Sequence, residues 1–389
     1  MSEDQLFSPM WTDPAVAGAT SDLAWLQAML DTEGALARVC ARAGLIPEPA
    51  ASAIEAGCRA DRYDPVELGR LAVDHASPVV PLVAQLRAAL PEDAARYVHP
   101  GATSQDILDT AMCLVATRAS EPVLADLAGL ADRLAGLADR YRNTVQIGRT
   151  LLQQAAPTTF GAVCAGWLVA VDQARAGLDR ARRRLAVQFG GPVGTLAAFG
   201  ERGPELLAML AAELGLAEPV LPWHTDRTRI GELAGALGVA AGALGTIALD
   251  VALLAQTEVG ELAEGSPGGS SSMPHKRNPA RSVLVTAAVH RTPGLVATLL
   301  AAMPQELQRA AGRWQAEPPV LTELLRLVGG AAAHTRRLVE DLRVDADRMR
   351  ANLDASGLAA GASGSQAVAA AGALVERALN HHTKPSTRD

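Results

Sequence analysis

The sequence predicts an all-α protein with an N-terminal helical cap, a central bundle of long helices and a shortened C-terminal helical segment. Three observations predict this fold class. Period-two alternation is scarce, Ala and Leu fill long stretches without proline, and apolar residues recur at alternating three- and four-residue spacing. We therefore expect three regions, at residues 1–108, 109–345 and 346–389.

The N-terminal hundred residues are divided by prolines into short segments. Because proline interrupts helices, this pattern predicts a cap of short helices that is separate from the bundle. The prolines concerned are Pro47, Pro49, Pro65, Pro78 and Pro81.

The rest of the chain predicts long helices, because its apolar residues form stripes along one helix face. Small residues crowd these segments, as in LAGALGVAAGALG, and permit close helix approach, either inside one chain or against other subunits. We expect oligomerisation. Helices are expected at 123–141, between Pro157 and Pro192, between Pro222 and Pro267, at 281–302, at 319–342 and, in the tail, at 365–379.

Composition and charge exclude several function classes. A formal net charge of −7 without a basic tract makes the chain a poor nucleic-acid binder. No apolar run is judged long enough to cross a bilayer, and the N-terminal stretch MSEDQLFSPMW lacks a secretion signal, so we expect a cytoplasmic protein. The four cysteines form no CxxC pair, and no metal-binding constellation is evident.

The first candidate site segment is HPGATSQDILDT, residues 99–110. Thr103 or Ser104 could cap a helix that begins near Gln105, with Asp106 complementing the helix dipole in the first turn. The free amides and hydroxyls of the same helix N-terminus could instead hold a carboxylate. Both interpretations stay open at this point.

The second candidate segment is GRTLLQQAAP, residues 148–157. It gathers Arg149, Thr150, Gln153 and Gln154 just before a long apolar helix. Ordinary capping and solvation would explain these polar groups as well as a binding site would.

The third candidate segment is GGSSSMPHKRNP, residues 268–279. Its glycines and serines favour a mobile loop, but a linker rarely ends in so specific a sequence directly before a helix. A serine hydroxyl exchanges a proton with carbon only when its alkoxide is stabilised, and backbone amides with a nearby ammonium supply that stabilisation. Lys276 stands out here because Lys384 is the only other lysine in the chain.

The stretch GSSSMPHKRNP resembles the signature of the fumarase/aspartase superfamily, and the two earlier segments match its other active-site regions in order and approximate spacing. The resemblance spans residues 1 to about 354. It implies proton exchange at the carbon next to a carboxylate, through an aci-carboxylate intermediate, without a cofactor. Segments that resemble the cycloisomerase branch are YVHPGATSQDILDT, VQIGRT, QFGGPVGTLAAFG, PWHTDRTR and AAMPQELQRAAGRWQAE.

By position in the motifs, the resemblance implies that Ser270 carries the proton, with Ser271 as the rival, and that His99 and Lys276 take part in catalysis. His99 could equally be a satisfied buried histidine, and Arg313 a solvated helix residue. A polycarboxylate substrate needs several fixed cations. The substrate-binding residues expected are Thr103, Ser104, Arg149, Thr150, Gln153, Ser271, Met273, Arg277, Asn278, His224 and Arg313.

The resemblance also implies a homotetramer. Motifs separated by whole long helices tend to lie at opposite ends of one bundle, and antiparallel packing between chains brings opposite ends together. We therefore expect active sites that combine the three segments from different subunits, with a small polycarboxylate as the ligand and neither nucleic acid nor membrane as a partner.

Two departures from the family pattern bear on the reaction. Leu151 stands where the superfamily's lyases carry a His used with the leaving group. Because a carboxylate attacks or leaves without a proton, Leu151 favours lactone closure over elimination of an amine or water. Gln154 replaces an expected His, and the C-terminal region is short. Another elimination enzyme on a di- or tricarboxylic acid, and an inactive helical scaffold, therefore stay open.

Overall fold

The computed structural model describes residues 6–358 and 362–384. Within them helices dominate, and the strands form two small antiparallel pairs, so the all-α fold class is confirmed. The helices and strands are α1 (Ser8–Trp11), α2 (Pro14–Ala19), α3 (Asp22–Arg42), α4 (Glu48–Gly57), α5 (Pro65–Ala72), α6 (Val79–Ala88), α7 (Glu92–Ala95), α8 (Ser104–Arg140), β1 (Val145–Thr150), β2 (Gln153–Thr159), α9 (Phe160–Arg183), α10 (Gly203–Leu214), α11 (Thr228–Leu254), β3 (Leu262–Ala263), α12 (Ala280–Ala302), α13 (Arg313–Glu340), β4 (Arg343–Val344), α14 (Ala346–Ala355) and α15 (Ala362–His382), with 3₁₀ turns at Ala60–Arg62, Val73–His75 and Ala197–Arg202.

The longest helix, α8, has 37 residues and is therefore about 55 Å long. It joins the helix expected to begin near Gln105 to the one expected at 123–141, so the second boundary was wrong. Pro122 lies inside α8 rather than before a new helix. Ala119 and Val123 on either side of it are fully buried, and this packing sustains the helix through the proline.

The other long helices follow the apolar stripes closely. α9 and α11 lie within the expected segments, α12 begins one residue before the expected 281–302, and α15 covers the expected tail helix. α13 begins at Arg313, six residues before the predicted 319, and includes Pro318 and Pro319. Trp314 and Glu317 are buried in its first turns, so their packing holds the helix together across the two prolines.

The buried apolar residues form two hydrophobic cores. The larger runs through α8, α9, α11, α12 and α13. The smaller joins α3, α4 and α6 to the first turns of α8 and to α10. The N-terminal helices therefore pack onto one end of the long bundle, and the division at residues 108 and 345 stays a prediction.

α11 and α12 are long and apolar enough, by length and composition, to cross a membrane, so the expectation that no run reaches that length was wrong. A core helix of a globular protein passes the same test, and α11 buries Leu233, Leu237 and Leu244. The opposite faces are open: Val239 is 61% exposed on α11 and Val283 is 57% exposed on α12. Both helices thus carry apolar surface on the outside of the single chain.

The second candidate segment folds as a β-hairpin, which the sequence analysis did not anticipate. β1 pairs antiparallel with β2, and Thr150 opposes Gln153, so Leu151 and Leu152 form the two-residue turn. Both leucines have left-handed backbone, with φ of 52° and 62°. α14 packs against β1 and α15 against β2, which fixes the hairpin at the C-terminal end of α8.

Candidate active site

The first segment caps α8 through Asp106 rather than through a free helix N-terminus. The Asp106 carboxylate accepts hydrogen bonds from the backbone amides of Thr103 (3.0 Å), Gly190 (3.0 Å) and Gly191 (2.9 Å). His224 Nε2 lies 2.7 Å from Asp106 Oδ1. Asp106 is buried and holds the turn through these hydrogen bonds, whereas Thr103 and Ser104 are half-buried.

His224 was expected to bind substrate, and the structure places it in this buried support. Its side chain is only 4% exposed and contacts Asp106. The neighbouring glycine turn leaves no room for a larger residue, because a Cβ on Gly190 would lie 2.8 Å from the His224 ring. The geometry therefore gives His224 a role in shaping the first segment from inside the fold.

A buried ion cluster ties together the N-termini of α8, α11 and α13. Arg227 donates to Asp109 (2.8 and 2.9 Å) and also contacts Glu317, and all three side chains are fully buried. Burial alone would lower the pKa of Arg227, but the charges of Asp109 and Glu317 outweigh it and raise that pKa. Burial raises the pKa of Glu317, and Arg227 opposes the rise only in part.

Two arginines lie in the 303–313 stretch next to this cluster. Arg309 Nη1 contacts Thr103 Oγ1, and its guanidinium lies 5.8 Å from the Trp314 ring centre. Arg313, the residue expected to bind substrate, is exposed and donates to the Pro304 carbonyl. Arg309 was not among the site residues expected from the sequence, although it stands four residues before Arg313 in the segment AAMPQELQRAAGRWQAE.

His99 lies beside the first segment and faces a buried carboxylate. Its Nδ1 is 2.6 Å from Glu33 Oε1, and the His99 and Glu33 side chains are 14% and 0% exposed. The His99 backbone is left-handed, with φ of 62°. Burial alone would lower the pKa of His99, but the charge and hydrogen bond of Glu33, followed by the charge of Asp106, raise it.

Arg149 of the second segment is already paired within the chain. Its guanidinium makes a bidentate contact with Glu261, at 3.0 and 2.7 Å, and Glu261 is fully buried. Asn352 Nδ2 donates to the same carboxylate at 2.7 Å. Arg149 therefore anchors the base of the hairpin, and its charge is largely neutralised before any substrate arrives.

The hairpin tip is turned outward. Thr150, Gln153 and Gln154 are exposed, and the turn residues Leu151 and Leu152 are 96% and 73% exposed. The tip thus presents amide groups next to a bare apolar surface.

The third segment folds back on itself and surrounds Ser270 with donors. Backbone pairing between Gly268 and Asn278 closes the loop, and Asn278 Nδ2 donates to the Gly269 carbonyl at 2.9 Å. Ser270 Oγ accepts from the amide of Met273 at 3.1 Å, and the amide of Ser272 lies 3.4 Å away. These amides are the donors that stabilise an alkoxide. Residues 271–277 of this loop are all exposed, among them Ser271, Met273, Lys276 and Arg277.

One chain does not bring the three segments together. The first lies at the N-terminus of α8, and the hairpin follows its C-terminus, about 55 Å away. The third segment lies at the hairpin end, because Glu261, just before it, binds Arg149. His99, Thr103 and Arg309 are therefore grouped at one end, and Ser270, Lys276 and the hairpin tip at the other.

Among residues 6–358 and 362–384, no group of three or more His, Cys, Asp or Glu side chains could hold a metal ion. Burial raises the pKa of Cys40 to about 11 and that of Cys113 to about 12, so these thiols stay protonated at neutral pH.

The long-helix bundle with three polar segments at its ends defines an all-α enzyme of the lyase type. A family model described as Lyase matches residues 11–294. The chain belongs to this family and to the fumarase/aspartase superfamily, as the sequence motifs predicted.

Individual relatives agree with this assignment. The chain is 48% identical over 357 residues to 3-carboxy-cis,cis-muconate cycloisomerase of Pseudomonas aeruginosa, covering 90% of this chain and 78% of the relative. It is 46% identical to nitrosuccinate lyase of Streptomyces davaonensis, covering 90% and 77%. The crystal structure of 3-carboxy-cis,cis-muconate lactonizing enzyme from Pseudomonas putida matches with a TM-score of 0.87 and 41% identity, covering 97% of this chain and 88% of that one.

Proposed function

We propose that the chain catalyses the intramolecular lactonisation of 3-carboxy-cis,cis-muconate to 4-carboxymuconolactone, a step of the protocatechuate branch of the β-ketoadipate pathway. The observation that carries the proposal is the Ser270 turn, whose backbone amides lie at 3.1 and 3.4 Å from the hydroxyl oxygen. Similarity at 41–48% identity to enzymes named for this substrate supports the choice of reaction.

The chemistry needs one carbon–oxygen bond and one proton transfer. A substrate carboxylate oxygen attacks the neighbouring double bond, and the electron pair moves into the adjoining carboxylate to give an aci-carboxylate. The Ser270 hydroxyl then gives its proton to the carbon, and the alkoxide left behind is stabilised by the Ser272 and Met273 amides. In this proposal the ammonium of Lys276, on the same loop, adds its positive charge when the loop closes on substrate. Solvent returns the proton to Ser270, which completes the cycle.

The hairpin tip fits a reaction without a second proton donor. A carboxylate nucleophile with a reference pKa of about 4 is already ionised at neutral pH, so no acid or base is needed at the attacking oxygen. Leu151, 96% exposed at the tip, offers an apolar wall where the superfamily's lyases place a His. Such a wall excludes water from the aci-carboxylate.

Cations for the substrate carboxylates come from three places in this proposal. Lys276 and Arg277 on the loop are exposed. Arg309 contacts Thr103 of the first segment, and Arg313, four residues further along, is exposed. Arg149 contributes less positive charge to substrate binding than expected, because its two terminal nitrogens, Nη1 and Nη2, both donate to Glu261. We therefore assign Arg149 to holding the hairpin and Arg309 to holding a substrate carboxylate with Thr103.

The complete site is proposed to form in a homotetramer. Two facts support this: the segments lie about 55 Å apart in one chain, and α11 and α12 expose apolar faces that a second copy could cover. Light scattering is expected to give four times the 40.3 kDa chain mass. A fully active monomer at micromolar concentration would contradict shared active sites.

A second candidate function is elimination of a stable anion β to a carboxylate. The 46% identity to nitrosuccinate lyase favours it, since loss of a nitro group as an anion, like lactone chemistry, needs no proton on the leaving group. The same Ser270 would then remove a proton from carbon instead of delivering one.

One assay separates these functions. Purified protein is incubated with 3-carboxy-cis,cis-muconate and the loss of conjugated-diene absorbance is followed, with nitrosuccinate and nitrite release as the parallel arm. Diene loss that disappears in Ser270→Ala supports lactonisation. Nitrite release without diene loss favours elimination. If a folded tetramer gives neither diene loss nor nitrite, the result favours the inactive scaffold.

A further inference from the structure

Glu33 is the feature of the first-segment end that the proposed mechanism leaves unused. It lies in the middle of α3, and its side chain is fully buried. Oε1 faces His99 Nδ1 at 2.6 Å, while Oε2 is buried and has no hydrogen-bond partner among the described residues. Burying a carboxylate with one oxygen unsatisfied is costly, and a positive charge beside it reduces that cost.

His99 is the cationic side chain in direct contact with Glu33, because the nearby charged groups are paired with other residues. Arg38, one turn further along α3, is bound to Glu55 and Glu213, and Asp31 is bound to Arg118. Burial, followed by the charge of Glu33, raises the pKa of Cys58 to about 12, so that thiol stays neutral.

The groups that act on the His99 ring come from three helices. Glu33 on α3 and Asp106 on α8 favour its protonated form, and Arg87 on α6 opposes it. The two carboxylates outweigh both Arg87 and burial, so the pKa of His99 is raised.

One ring nitrogen of His99, Nε2, is not used by Glu33. Nδ1 is used by Glu33, whereas Nε2 makes no hydrogen bond in the part of the chain that the structure describes, and the ring keeps 14% of its surface exposed. A protonated imidazole carries N–H groups on both nitrogens. The second N–H is therefore available to a ligand, and His99 stands four residues before Thr103 in the first segment.

We infer that Glu33 is a positioning residue that holds His99 as an imidazolium, so that His99 Nε2–H binds a substrate carboxylate beside Thr103. The inference rests on the proposed function for the identity of the substrate, but not for the charge of the pair. In this role His99 does not move a proton. Its positive charge is fixed by a carboxylate that never meets the substrate.

The test is Glu33→Gln, which keeps the side-chain size and an oxygen for Nδ1–H but removes the charge. With histidine labelled at Cε1, NMR titration of the assembled protein follows His99, whose signal is assigned from its loss in His99→Gln among eight histidines. We expect the His99 titration midpoint to lie above the ordinary value of about 6.5 in the parent and to fall in Glu33→Gln.

The kinetic readout separates positioning from general damage. In Glu33→Gln, the KM for the muconate should rise about tenfold at neutral pH, because a charge-assisted hydrogen bond becomes a neutral one, while kcat changes much less. Its KM should also begin to rise at a lower pH than in the parent. Asp31→Asn is the matched control, since it removes a carboxylate from the same helix without touching His99.

The outcomes test the positioning role of Glu33 and the proposed reaction separately. A His99 midpoint at or below the ordinary value in the parent overturns the inference, even if Glu33→Gln does not fold. A raised midpoint that is unchanged in Glu33→Gln also overturns it. A raised midpoint that falls in Glu33→Gln, without any turnover of muconate, leaves the positioning role standing and rejects the proposed reaction.

Discussion

The two ends of the long bundle are built in opposite ways. At the first-segment end, where α8, α11 and α13 begin, Asp106, Asp109 and Arg227 are buried and bound to partners in the same chain. At the hairpin end, Leu151, Lys276 and Arg277 are exposed. One end is preorganised within a single chain, whereas the other leaves these side chains open to solvent.

The two ends of the bundle differ in rigidity. Buried ion clusters keep their geometry whether or not a partner is present, because breaking them leaves charges without solvent. A Ser-rich loop and a hairpin tip can adjust to a partner and to a substrate.

The largest effect is expected at the hairpin end. Ser270→Ala should lower kcat by about a hundred- to ten-thousand-fold, because positioned proton transfer is worth that much, and should leave KM nearly unchanged. Steady-state kinetics on the muconate measures both constants. Ser271→Ala is the control. If Ser271→Ala is the damaging change, the loop assignment stands and the choice of serine is wrong.

The next effect belongs to the buried end. Arg227→Met should reduce the free energy of unfolding by about 3–5 kcal/mol, because Asp109 and Glu317 are left buried without their cation. Urea unfolding gives the value. Arg291→Met removes a surface pair with Glu323 and should cost about 1 kcal/mol or less. Equal losses in the two variants would show that the buried cluster is not what stiffens this end.

A smaller effect, of mixed sign, is expected at the hairpin tip. Replacing Leu151 and Leu152 with Asn and Gly supplies the residues that a two-residue turn with left-handed backbone prefers, and should stabilise the protein by about 1 kcal/mol. The same change removes the apolar wall, so kcat/KM should fall about tenfold. Thermal unfolding and kinetics together test it. A stabilised variant with full activity would show that the leucines do not face the substrate.

The smallest effect is a pH dependence of stability. The pKa of His99 is raised in the fold, so its contribution is complete below about pH 6.5 and is lost as pH rises through the folded pKa. His334 behaves in the opposite way: burial lowers its pKa, so it costs stability as pH falls below about 6.5. Urea midpoints for His99→Gln and His334→Gln against pH should diverge from the parent in opposite directions. Parallel curves for all three proteins would reject both signs.

Sequence alone predicted the features that depend on local periodicity. The stripes of α9, α11 and α12 and the capping of α8 near Thr103 all follow from residues within a few turns of one another. The hairpin was not predicted, because its turn sequence TLLQ lacks the Asn-Gly pair typical of two-residue turns. Packing on α14 and α15 overrides that local preference.

The site was predictable by residue type but not by partner. Arg149 was expected to bind substrate, and its neutralisation depends on Glu261, 112 residues further along the chain. Glu33 and His99 are 66 residues apart, and nothing near either one in the sequence joins them. Charge pairing between distant elements is set by tertiary packing, which a motif does not encode.

The scarcity of lysine has a practical consequence for anyone who handles this protein. Lys276 and Lys384 carry the only side-chain amines, and Lys276 lies exposed on the loop that holds Ser270. Amine-reactive dyes, crosslinkers and activated resins will therefore attach within residues 268–279 in a large share of molecules. Immobilisation through amines is expected to inactivate the protein, and tethering chemistry should be directed to other residues.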